Sequence, residues 1–232
     1  MNIILGFLFL FAFANATIDR DCSWMSKRLK NNETKDNRKV DAKDVRTEEF
    51  IDRIFPFAKD LEKLINIHIK VEMNAFYNYL SMSHFFMRED YDLPGFSKYF
   101  HEAAMEELKH AEMFMKYQAK RSGRVTFFDI TAPVYQTFTS AQQALQLAFE
   151  LEQNVTGEVL CLHKMAGVLY NDIDFTNFIE SEVIPEQYTG LKELKTHIKT
   201  LSRMASSKGK SDMPNYGIAE FHFDQHLLNR KY

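Results

Sequence analysis

Glycine and proline are scarce, at 8 and 5 in 232 residues, together roughly half the usual share. Few chain-punctuating residues mean few turns. Collagen-like, low-complexity and many-stranded, turn-rich folds are excluded, and long continuous elements are expected. Cysteine is also scarce: two residues cannot build a disulfide scaffold or a Cys₄ zinc site. No basic excess is present, since 29 Lys and Arg stand against 32 Asp and Glu for a net charge of −3. A nucleic-acid partner is therefore not expected. What is abundant is apolar and aromatic: 45% hydrophobic residues with 21 Phe and 10 Tyr, enough to pay for ordering a core and to exclude a disordered chain.

The N-terminus reads as an address. Ile3 to Ala14 is an uninterrupted apolar run, too short for a bilayer span of about 20 residues. Ala14-Asn15-Ala16 is a small-x-small cleavage site, so residues 1–16 are expected to be a signal peptide, leaving a secreted chain with no membrane anchor. Residues 17–46 are polar, show no helical stripe and are expected to form a mobile extension. Asn32-Glu33-Thr34 is a glycosylation sequon there; Asn154-Val155-Thr156 also matches but falls in a helix, where it is expected to stay unmodified. In an oxidising compartment Cys22, on the extension, suggests an inter-chain disulfide, with a free thiol as the alternative. Cys161, inside a helix, reads as an inert buried thiol.

Four long segments repeat apolar residues at the helical period. The first runs from about Thr47 to Met87, with Leu61, Ile65, His68, Glu72, Phe76 and Tyr79 on one stripe. The second follows Pro94-Gly95 and carries Phe96, Phe100, Ala103, Glu107, His110 and Phe114. The third starts near Ser140, whose partner Gln143 makes a capping-box match; its stripe is Leu145, Ala148, Glu152, Val155, Val159 and Leu162. The fourth starts near Asp174 and carries Glu180, Ile184, Gln187, Leu191, Leu194, Ile198 and Leu201. A Ser/Lys/Gly linker then leads to a short fifth helix, about Tyr216 to Asn229.

Connection lengths set the topology. The first and second helices are joined tightly, as are the third and fourth, so each pair is antiparallel. About 17 residues separate the second helix from the third, a reach of roughly 56 Å when extended. A helix of 28 residues is only about 42 Å long. The connection can therefore run the height of the bundle and make helices two and three parallel. The expected fold is all-α, a four-helix bundle with one long crossover and a short C-terminal helix, occupying residues 47–232.

These stripes should be apolar, yet each carries a metal-capable group: Glu72, Glu107 with His110, Glu152 and Gln187. Unpaired buried carboxylates cost several kcal/mol each, and a cation between them is the natural compensation. Glu107-x-x-His110 has the i, i+3 spacing that puts both groups on one face. Carboxylate oxygens with one imidazole suit Fe(II), which keeps open positions for oxygen. Di-iron carboxylate bundles as a class use a Glu from each of two helices and Glu-x-x-His from the other two. This chain has one Glu-x-x-His only, because Val155 stands three residues after Glu152. A second iron would rest on Glu152, a bridging Glu107 and the neutral Gln187. Such a site suits iron that binds, is oxidised and leaves. Tyr79, two turns after Glu72, fits a hydrogen-bonding role beside the metals.

At these residues the sequence resembles the ferritins, and among them the catalytic heavy-chain type in a secreted invertebrate form. The likeness is carried by YLSMSHFF (79–86), EELKHAEMFMKYQAKRSGR (106–124), DITAP (129–133), FELEQNV (149–155), LHKMA (162–166), NFIESE (177–182) and PEQ (185–187). The resemblance implies a ferritin-like bundle in a hollow shell of 24 chains, alike or mixed, that oxidises Fe(II) with O₂ and stores a ferric mineral core. It implies that Glu72, Glu107 and His110 hold the first iron, that Glu107 bridges, and that Glu152 and Gln187 serve the second. Tyr79 and Glu106 would be accessory, and Glu180 would line the pore that admits iron, with His163 nearby. Asn177 stands where the family's pore has a second acid, so slower iron entry is expected unless Asp172 or Asp174 compensates, and Lys109 replaces an acid of the inner surface, so weaker mineral nucleation is expected there. Pro185, two residues before Gln187, should kink the fourth helix. The alternative function is a non-catalytic, yolk-type storage chain that assembles with an active one.

Overall fold

The computed structural model describes residues 22–25, 27–28, 57–206 and 216–230. Among them lie six α-helices and no strand: α1 (Lys59–Phe86), α2 (Pro94–Lys120), α3 (Ala141–Val168), α4 (Ile173–Phe178), α5 (Ile184–Ser206) and α6 (Tyr216–Leu228). A π-helical turn, Ile179–Val183, joins α4 to α5. The expected leader 1–16, the sequon at Asn32 and residues 47–56 of the expected first helix lie outside the described residues.

Side chains report the direction of each helix. Ser83 Oγ donates to the Ser97 carbonyl at 2.9 Å, and Gln118 Nε2 donates to the Glu62 carbonyl at 3.1 Å, so α1 and α2 are antiparallel. Gln142 Nε2 reaches Ser202 Oγ at 3.0 Å while Thr156 Oγ1 reaches Gln187 Oε1 at 2.7 Å, so α3 and α5 are antiparallel too. The connection from α2 to α3 returns along α1. Asn66 accepts from Thr126 N at 3.0 Å and donates to the Arg124 carbonyl at 2.9 Å; Asn74 accepts from Thr131 N at 2.9 Å; the Tyr91 hydroxyl donates to the Phe138 carbonyl at 2.8 Å. These side chains satisfy an irregular backbone that has no ladder of its own, and the return makes α2 and α3 parallel.

The helix starts are capped in two ways. Ser140 Oγ accepts from Gln143 N at 3.1 Å, and Asp172 Oδ1 accepts from Phe175 N at 3.0 Å, both ordinary N-caps. The N-terminus of α2 has no cap in its own segment; instead Asp224 of α6 accepts from Phe96 N at 2.9 Å. Glu220, also of α6, accepts from Ala141 N at 2.7 Å at the start of α3. The short last helix thus places two carboxylates on two helix N-termini, where the backbone N–H groups favour their charge against the burial that raises both carboxyls. Gly95 makes this docking possible, since a Cβ there would lie 1.9 Å from the Asp224 carbonyl oxygen.

The core falls into two apolar clusters. One gathers Leu61, Leu64, Ile65, Phe114, Leu162 and Phe175. The other gathers Tyr79, Phe86, Phe96, Phe100, Leu145 and Leu201. The polar members of the stripes lie between them.

Three expectations are corrected. Cys22 does not pair between chains: it is bonded to Cys161, with Cα atoms 5.5 Å apart and 139 residues between them. Cys161 is accordingly no free thiol. The extension is not mobile throughout, because Cys22 and Met25 are buried against the first cluster and Arg28 Nη1 contacts Glu158 Oε1 at 2.6 Å. Finally, Glu180 leaves the inner stripe. The wider π turn shifts the helical phase, so Ile179 and Val183 face the core and Glu180 is exposed. The distortion expected from Pro185 is taken up by that turn, immediately ahead of it.

Candidate metal centre

Each inner stripe reaches the gap between the two apolar clusters with a polar group. Glu72 of α1 is fully buried, and Glu107 of α2, Glu152 of α3 and Gln187 of α5 are each 7% exposed or less. Glu72, Glu107 and His110 offer ligand atoms that all lie within 4.8 Å of one another. At 3.5 Å, His110 Nδ1 and Glu107 Oε2 form an ion pair too long to count as a hydrogen bond. Both oxygens of Glu72, Glu107 Oε2 and His110 Nδ1 are buried with no hydrogen-bond partner. Native cores seldom leave such atoms orphaned, and four in one cluster form a set that a cation could satisfy.

Glu152 and Gln187 face the same space from the other pair of helices. Tyr79 OH donates to Glu152 Oε1 at 2.6 Å, and Thr156 Oγ1 donates to Gln187 Oε1 at 2.7 Å. Each partner fixes a side chain and leaves part of its acceptor capacity open. Thr156 is also the third residue of the helical sequon, buried and engaged.

Burial dominates the electrostatics. It raises Glu72 to about 7 and, with the charge of Glu72 added, Glu107 to about 8. Glu152 rises to about 8, again chiefly by burial, with Glu107 next. Burial alone would lower His110, but Glu107, Glu72 and Glu186 override it and push the imidazole up to about 10. Without a cation, the site therefore keeps protons that free carboxylic acids would lose, and a cation would displace them.

A cavity of about 150 Å³ opens onto this cluster between α2 and α5. Six carboxylates line it: Glu102, Glu106, Glu107, Glu152, Glu186 and Glu193. Such a lining focuses a negative potential and concentrates cations. Glu106 is exposed at its wall, with its carboxyl raised by partial burial. Sequence reasoning missed Glu102, Glu186 and Glu193. Glu102 lies four residues before Glu106, and Glu193 seven after Glu186, spacings that share a helix face.

The outlying residues lie elsewhere. Glu180 contacts His163 Nε2 at 2.7 Å on the surface. Asp172 and Asp174 pair with Arg121, at 2.8 and 3.2 Å, and Asn177 is exposed. Lys109 is exposed.

Comparison with known proteins agrees with this geometry. The ferritin family profile, described as a ferritin-like domain, matches residues 62–204. The chain is 38% identical to a soma ferritin of Lymnaea stagnalis over 165 residues, covering 71% of this chain and 88% of that one. It is likewise 38% identical to a ferritin middle subunit of Salmo salar over 169 residues, covering 73% and 92%. With the bundle, the buried carboxylate cluster and this likeness in hand, the chain belongs to the ferritin family.

Proposed function

We propose that this chain oxidises Fe(II) with O₂ at the Glu72, Glu107, His110 cluster and stores the ferric product in a shell of 24 ferritin chains. Iron is substrate and cargo here. The observation that carries the reading is the set of orphaned buried ligand atoms on Glu72, Glu107 and His110. The first iron takes those three residues. Glu107 is shared with a second iron, served by Glu152 and Gln187. Oxygen-rich donors with a single imidazole favour the ferric product over the ferrous substrate. The second position, held partly by a neutral amide, binds more weakly and lets oxidised iron move on. Tyr79 holds Glu152, and Glu106 stands on the path between this centre and the cavity mouth. Glu180 and His163 fit an entry pore formed between chains.

Secretion is part of the same proposal. The apolar run ending at Ala14-Asn15-Ala16 supplies the leader, and the Cys22–Cys161 bond suits an oxidising compartment. The test is to purify the native particle, size it, and add Fe(II) in air while recording O₂. The expected result is a particle of several hundred kilodaltons whose Fe(II) additions consume O₂ rapidly. A particle that takes up iron without fast O₂ consumption would support the yolk-type storage reading instead. Mass spectrometry of the subunit beginning at Met1 would overturn the secretory part.

A further inference from the structure

His68 stands on the Glu72 stripe, one turn earlier, and the ligand set above does not use it. It is 1% exposed, and neither ring nitrogen has a hydrogen-bond partner. Two unsatisfied buried polar atoms are costly, and in a native core they call for an explanation. Its Nε2 lies 2.8 Å from Glu72 Oε1, close enough for a hydrogen bond but off the required angle. Phe114 meets the ring edge-on, with centroids 4.6 Å apart, and fixes its plane. Helical side chains lean toward the N-terminus, so the Glu72 carboxylate is carried toward His68. An N–H on Nε2 can donate to a carboxylate oxygen.

We infer that His68 is a positioning residue for the metal centre: when a cation is bound, a small rotation brings its Nε2–H onto Glu72 Oε1 and leaves the other oxygen of Glu72 for the cation shared with Glu107 and His110. Carboxylate ligands are ordinarily oriented by such a partner, and removing one typically costs ten- to a hundredfold in metal affinity. The inference rests on the metal-site reading above.

The test is a Co(II) titration of the assembled, iron-free protein, read from the visible absorption bands that report cobalt coordination. His68→Leu removes both nitrogens and suits the apolar surroundings; His68→Gln restores an N–H donor. His68→Leu is expected to weaken Co(II) binding about tenfold or more and to shift the bands. His68→Gln is expected to return affinity to within about threefold of wild type. If the Leu variant does not assemble, His68→Phe, which keeps a ring beside Phe114, makes the same comparison. Wild-type affinity and bands in the nitrogen-free variant would overturn the inference, as would a Gln variant as weak as the Leu variant. Glu107→Ala separates the two levels. If it binds Co(II) like wild type, the metal-site reading itself fails. If it loses binding while His68→Leu does not, only the role of His68 fails.

Discussion

Glu107 shows most clearly what a buried charge does to this protein. Its carboxyl is raised from 4.5 to about 8, as Glu152 is, while Glu72 rises to about 7. Above the ordinary carboxylate range the unfolded chain has released these protons and the folded chain still holds them, so stability falls as pH rises. His110, raised from 6.5 to about 10, adds the same sign above 6.5. His68, lowered to about 4, acts the opposite way, but only below 6.5. Between pH 6.5 and 8 the metal-free protein should therefore lose thermal stability. Glu107→Gln should flatten that slope and stabilise the metal-free form at pH 8 by roughly 1–3 kcal/mol. Unfolding scans in chelator check both; a flat wild-type profile would contradict the burial argument. Glu72, Glu107, Glu152 and Gln187 were legible in the sequence because each interrupts an apolar stripe. His68 stands on the same stripe, one turn before Glu72, but a single imidazole on an apolar face reads as core until its nitrogens are seen to lack partners. Glu102, Glu186 and Glu193 look like solvated helix surface until two helices meet and a cavity forms between them.

At the scale of elements, short segments hold the long ones in place. Docking of α6 depends on Gly95, since a Cβ would collide with the Asp224 carbonyl oxygen at 1.9 Å. Gly95→Ala should push α6 off two helix starts and lower stability by about 2–3 kcal/mol, seen as a lower melting temperature; an unchanged melt would show that the contact yields. The Cys22–Cys161 bond spans 139 residues and ties the N-terminal segment to α3. Cys22→Ser should cost about 2–4 kcal/mol. Wild-type chains should run as single subunits on gels without reductant, and covalent dimers there would contradict the intrachain bond. The helices, the capped start at Ser140 and the long crossover were legible from period and connection length. The disulfide was not, because partners 139 residues apart leave no periodic trace. The π turn was not either: Pro185 signals a distortion there but not its form, and that form rotates Glu180 out of the stripe.

At the scale of the molecule, the bundle separates two apolar clusters with one polar layer and opens that layer to a carboxylate-lined cavity. The apolar clusters hold four helices rigidly enough to keep unpaired carboxylates together, and those carboxylates remain costly until a cation arrives. The mild net charge of −3 hides this placement. The central claim is that the buried cluster performs the oxidation, and stopped-flow mixing of Fe(II) with aerated protein tests it most directly. Wild type and Glu107→Ala are compared as particles of equal size, with Fe(III) absorbance followed in time. The account predicts a fast phase in wild type that Glu107→Ala slows by about a hundredfold or more while the shell stays assembled; equal rates in the two particles would contradict it.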